Sequence, residues 1–152
     1  MIDEVYEYLK EFGFTKEDLD SFENINERMY FTNLKEVTKN INFLSSKSLS
    51  KEEITNLIRN NCFLLTVKDN RLESLDNIYL NILNLNNGEL KKLILLYPYT
   101  YIESPIEIEK IIAYLKKNNY TIDNIKEIIF SKPEILSYKL DKIEKIFPKK
   151  ED

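Results

Sequence analysis

Apolar residues return along this chain at fixed offsets from a polar helix-start signal. Thr15, Ser50, Asn86 and Thr121 stand 35, 36 and 35 residues apart, and each is followed three places on by Asp18, Glu53, Glu89 or Asn124. A Ser, Thr or Asn side chain accepts an orphan amide hydrogen of the first helical turn, and an acid or amide three residues on returns the bond. The pattern therefore predicts four helix starts. Leu9, Leu44, Leu80 and Leu115 stand six residues before these caps, and Phe14, Leu49, Leu85 and Tyr120 stand one before. After them come Leu19, Ile54, Leu90 and Ile125, then Phe22, Leu57, Leu93 and Ile128. That spacing is one helical face. A period in the thirties predicts a repeat architecture in which each unit buries its apolar face by stacking on the next.

The expected fold is all-α, an α-solenoid of about four helix-pair repeats in a single domain. Its units cover residues 1–33, 34–70, 71–104 and 105–147, with a tail at 148–152. In the first unit, helices are expected over 2–12 and 16–23, followed by a stretch at 24–30 that departs from later units, as a terminal repeat must. Asn33 caps the next helix, which carries Leu34, Val37, Ile41 and Leu44 on one face; a turn at 45–48 leads to a helix over 51–61. The third unit pairs 71–83, with Leu72, Leu75, Tyr79, Leu80 and Leu83 inward, with 89–96. Pro105 opens the fourth at a helix N1 position, and 121–130 follows. A half-unit carrying Leu140, Ile143, Ile146 and Phe147 is expected to seal the open end before Pro148 stops it.

Between units a connector recurs, at 61–65, 97–101 and 132–136. Proline ends the preceding helix, and a bulky pair drops back into the core. The run from Ile128 through Ser131, Pro133, Ile135, Leu136, Ser137 and Leu140 to Ile143 resembles the repeat of the mTERF family, the mitochondrial transcription termination factors. It has that repeat's short helix, proline, hydrophobic pair and serine-containing link. The resemblance extends over nearly the whole chain and is closest at 105–147; Cys62 and Glu27 stand where the proline belongs in the second and first units. It implies a curved array of helix pairs with a short 3₁₀ turn per repeat. It also implies binding of double-stranded DNA or structured RNA along the concave face, without a catalytic site.

Composition agrees with a folded helical chain: 43% of residues are hydrophobic and only two are glycine. No apolar run is long enough to span a membrane and the start lacks the basic residues of a signal peptide, so a cytoplasmic protein is expected. One cysteine, Cys62, excludes an intramolecular disulfide and fits a reducing compartment. A single alanine amid abundant Asn, Lys and Ile suits a low-GC bacterium or its phage. Histidine is absent, which removes Ser-His and Cys-His catalysis and the commonest metal ligand. Cys62 then reads as an inert core thiol, and Glu52-Glu53 as helix-start acids. No enzyme, cofactor, metal or small-molecule substrate is expected.

Charge is graded along the chain. Residues 1–30 hold nine acids against three bases, whereas residues 110–152 hold ten bases against seven acids. Lys110, Lys116, Lys117, Lys126, Lys132, Lys139, Lys142 and Lys145 are therefore the candidate phosphate contacts. Lys116 and Lys117 immediately precede the Thr121 cap, where helix amides and ammonium groups meet the same anion. Tyr97 and Tyr99 are candidate partner contacts, since Tyr101 aligns with Leu65 and Leu136 as core. Three partnerships fit this gradient. They are DNA or RNA at the basic end, a basic protein partner for which this chain is an inhibitor or regulatory subunit, and a second copy docked acidic end to basic end.

Overall fold

The computed structural model describes residues 1–68 and 70–151. Nine α-helices are found among them: α1 (Asp3–Phe12), α2 (Lys16–Ile25), α3 (Leu34–Ser45), α4 (Lys51–Asn60), α5 (Arg71–Asn77), α6 (Asn87–Leu96), α7 (Pro105–Lys117), α8 (Ile122–Ser131) and α9 (Leu140–Ile146). The described residues contain no strand. 3₁₀ turns at Glu27–Tyr30, Cys62–Thr66 and Pro133–Ser137 form three of the four connectors. The remaining one, around Pro98, is a run of turns closed by Thr100 N–H to the Tyr97 carbonyl and Ile102 N–H to that of Tyr99. Two compact units, Met1–Asp69 and Asn70–Asp152, divide the chain where the second repeat was expected to end.

All four predicted capping boxes form. Thr15, Ser50, Asn86 and Thr121 each accept the N3 amide, and Asp18, Glu53, Glu89 and Asn124 bond back to the cap amide. A second marker keeps the same interval. Gly13, Ser48, Asn84 and Asn119, each two residues before a cap, have φ of 131°, 64°, 55° and 72°. A positive φ ends the first helix of each repeat and swings the chain into the second; only glycine adopts it without a Cβ penalty.

The 36-residue interval has its own explanation. Counted forward from the connectors, buried residues keep step: Val37, Leu72 and Ile108, then Asn40, Leu75 and Ile111, then Leu44, Tyr79 and Leu115. One extra residue follows Tyr79, and α5 absorbs it by continuing as a π-turn over Ile78–Ile82. The amides of Phe14 and Tyr120 bond back five residues to Leu9 and Leu115, whereas that of Leu85 bonds back six, to Tyr79. Leu80, expected inward beside Leu44 and Leu115, is consequently only half-buried, and Tyr79 fills its place.

Polar side chains fix the connectors within each unit. In the first, Asn26 Nδ2 donates to the Cys62 carbonyl and to Thr66 Oγ1 (2.9 Å), and Asn40 Nδ2 donates to the carbonyls of Leu65 and Val67. In the second, Tyr79 donates to the Thr100 carbonyl and Tyr101 to Asp76 Oδ1. Tyr101 is buried like Leu65 and Leu136, as expected. Ile143 anchors α9, but Ile146, expected to help seal the end, is 43% exposed. With seven residues α9 makes only two turns; the Tyr114 hydroxyl of α7 holds the end of the second through the Phe147 carbonyl at 2.8 Å, and the Ile146 side chain is left facing outward.

Candidate nucleic-acid interface

The predicted lysines occupy α7, α8 and α9 and the links between them. Lys116 and Lys117 lie in the last turn of α7, Lys139 directly precedes α9, and Lys142 and Lys145 lie on it; all five are exposed. Lys142 Nζ is 3.8 Å from the centre of the Tyr138 ring, and Lys132 Nζ is 5.6 Å from it. The ring face attracts both cations and so collects charge from α8 and α9 at one spot. Tyr138 escaped the sequence reading. Its signal was position, between Lys132 and the Lys139–Lys142 pair.

Two of the eight lysines are already engaged. Lys126 Nζ lies 3.1 Å from Glu89 Oε2 on α6, and Lys110 lies 3.3 Å from Glu107 one turn back on α7. The Asn86 amide and then Lys126 hold the Glu89 carboxyl below its ordinary range. A further cation, Lys150, joins this end of the molecule. Its Nζ bonds Asn124 Oδ1 at 2.8 Å, its amide bonds the Asn118 carbonyl, and Asn119 Nδ2 donates to its carbonyl. Tyr114 and Tyr120 donate to the carbonyls of Phe147 and Pro148. The tail is thus laid against the α7–α8 turn, bordering a shallow groove of about 330 Å³ between Ile128, Glu127, Ser131 and Phe147. Lys116, Lys117 and the start of α8 share this corner with Lys150, whose backbone contacts no spacing rule announces.

Tyr97 and Tyr99 differ in availability. Tyr97 is half-buried and donates to Glu103 Oε2 at 2.6 Å; burial first, then the Glu103 carboxylate, push its phenol far above the ordinary range. Glu103 is itself raised by burial, against the pull of Tyr97 and Arg71. Tyr99 is 40% exposed, its ring 5.7 Å from that of Tyr97. Of the pair, Tyr99 presents the more open ring. Cys62 is buried, and burial raises its thiol. Among the described residues no three His, Cys, Asp or Glu side chains gather to hold a metal ion, and no helix is long and apolar enough to cross a membrane.

A family model described as mTERF matches residues 1–148 of the chain. No curated protein matches it.

Proposed function

Because this chain belongs to the mTERF family, we propose that it is a non-catalytic nucleic-acid-binding module that regulates transcription by holding double-stranded DNA or structured RNA. The observation that carries the reading is the set of exposed lysines on α7 and α9, with Lys132 and Lys142 gathered on Tyr138. Each lysine that meets a phosphate releases condensed counterions, so affinity accumulates with the number of contacts. Lys116, Lys117, Lys132, Lys139, Lys142 and Lys145 are the proposed principal contacts. Lys110 and Lys126 contribute less, because a carboxylate already neutralises each. Tyr99, and to a smaller extent Tyr97, add ring contact. Lysine is a point charge that seldom forks onto a base edge, so the expected binding follows backbone shape more than sequence.

Titration of the protein into labelled duplex DNA, RNA hairpins and single strands at about 50 and 200 mM salt tests this. Binding at low salt that weakens steeply at the higher concentration is expected. Failure of every species at low salt refutes the reading. A variant with Lys116, Lys117, Lys139 and Lys142 changed to Glu tests the location, and undiminished affinity would move the site elsewhere.

A further inference from the structure

Four large apolar side chains are exposed on the first repeat: Ile2 (42%), Ile25 (58%), Tyr30 (50%) and Phe31 (79%). The Met1 ammonium bonds Glu23 Oε2 at 2.8 Å, which ties the residue before Ile2 to the last turn of α2, the helix that Ile25 ends. Buried Asn26 pins the connector that follows, and the Tyr30 and Phe31 rings lie 6.5 Å apart, edge to face. Tyr30 stands at the connector position where Leu65, Tyr101 and Leu136 are buried in their repeats. Acids outnumber bases nine to three over residues 1–30, with Glu27 in the same turn as Tyr30, although the Met1 ammonium neutralises Glu23.

The second unit carries a surface of opposite character. Ile146 is 43% exposed on α9, where Lys142 and Lys145 alternate with Asp141 and Glu144, and Lys139 and Lys149 flank the helix, so that four exposed lysines stand against two exposed acids. We propose that the aromatic patch of the acidic first repeat is the docking surface for the lysine-flanked α9 end of a second copy, giving head-to-tail assembly. Resting on the nucleic-acid reading above, a second clause follows: nucleic acid dissolves this assembly, because it draws on the same lysines.

Charge selects this occupant over nucleic acid and over a like-with-like pairing, and this chain itself carries the lysine-flanked apolar surface that fits. Phosphate backbones are repelled by the acidic first repeat, and two copies of the patch facing each other would set carboxylate against carboxylate. Aromatic side chains are the usual energetic anchors of an interface, and a rim of charge sets orientation and salt dependence. A contact between two different patches is heterologous, so it propagates into a ring or an open chain unless one patch is blocked.

That last property supplies the experiment. Sedimentation equilibrium of the full chain at about 50 mM salt should show mass rising with concentration, and about 500 mM salt should suppress the rise by screening. Phe31→Asp removes one surface and Ile146→Glu the other; both sites are exposed, and circular dichroism verifies that each variant folds. Each variant alone should stay monomeric, with association weakened at least about tenfold. Mixed in equal amounts, they should form a dimer and nothing larger, since the intact basic end of one meets the intact acidic end of the other. A wild type that is monomeric throughout, variants that still associate alone, or a mixture that stays monomeric overturns the docking. Adding duplex DNA to the wild-type assembly should lower the protein mass. DNA bound to an intact assembly overturns the competition, whereas absence of any DNA binding counts against the nucleic-acid reading and leaves the docking decided by the mixture.

Discussion

Arg59, on α4, reaches back to Asp18, the residue that closes the capping box of α2: Nη2 lies 3.0 Å from Oδ2, and the guanidinium carbon 5.9 Å from the Phe14 ring. The relationship recurs. Lys126 of α8 holds Glu89, which closes the box of α6. Lys150 of the tail holds Asn124, which closes the box of α8, and lies 5.7 Å from the Tyr120 ring, the counterpart of Phe14. A side chain that finishes one helix start thus also receives a cation from a later part of its own unit. Local helix formation and repeat stacking meet in one carboxylate or amide.

This arrangement predicts a pH-dependent coupling. Burial alone would raise the Asp18 carboxyl, but the Thr15 amide and hydroxyl together with Arg59 outweigh it and hold it below its ordinary range. A carboxyl depressed in the folded state contributes stability above its unfolded pKa and loses it as pH falls through the folded value. In an Arg59→Ala/Asp18→Asn double-mutant cycle followed by urea unfolding, coupling of about 0.2–1 kcal/mol is expected at neutral pH, the range for partly exposed pairs. It should disappear in strong acid. Coupling that persists there would mean Arg59 acts through packing on Phe14.

Ser48 pays a conformational cost that its counterpart Gly13 does not, with φ of 64° in the left-handed region. Ser48→Gly is expected to stabilise the protein by up to about 1 kcal/mol, offset in part by the freer unfolded chain. Gly13→Ala should do the reverse. Urea midpoints of the two variants, at unchanged slope, provide the check.

The π-turn makes a stronger prediction, because the positions before it keep step with the preceding connector and those after it with the following cap. Deleting exposed Asn81 should let Ile78–Ile82 relax into an ordinary α-turn and restore a 35-residue interval, at a cost well below that of turning a core leucine to solvent. Deleting exposed Asn42 from α3 offers the contrast. There no extra residue exists, so Leu44 rotates out of the core by about 100°, at an expected cost of about 2–5 kcal/mol. Thermal melts of the two deletions should therefore diverge widely; equal losses would refute the bulge interpretation.

Caps and core positions were legible because both depend on side-chain type at fixed offsets. Thr15, Ser50, Asn86 and Thr121 announce themselves chemically, and Tyr101 betrayed its burial by aligning with Leu65 and Leu136. The left-handed turn was harder to see, since Gly13, Ser48, Asn84 and Asn119 share a backbone conformation and not a chemistry. Leu80 misled because counting back from Asn86 crosses the π-turn, whereas counting forward from Cys62 reaches Tyr79 in register. Lysines were legible as a group but not individually. Whether Lys126 finds Glu89, or Lys142 finds Tyr138, is decided by the reach of long side chains across tertiary contacts, which leave no period in sequence.

Glu103 provides a last prediction, with the opposite sign to Asp18. Its carboxyl is raised by burial, although the Tyr97 hydroxyl and the Arg71 charge favour the ionised form. A raised folded pKa means that the folded state binds the proton more tightly than the unfolded chain. Stability is then greatest below the unfolded value, and it declines as pH climbs to the folded one. Glu103→Gln removes the charge while keeping an oxygen to accept the Tyr97 hydroxyl, and the Arg71 guanidinium keeps its bond to the Ile102 carbonyl. The variant should therefore be more stable than wild type at neutral pH, and the two should converge in acid below the ordinary glutamate range. Urea unfolding across that span tests it. A variant less stable than wild type at neutral pH would show that the ionised Tyr97–Glu103 bond outweighs the burial of the charge.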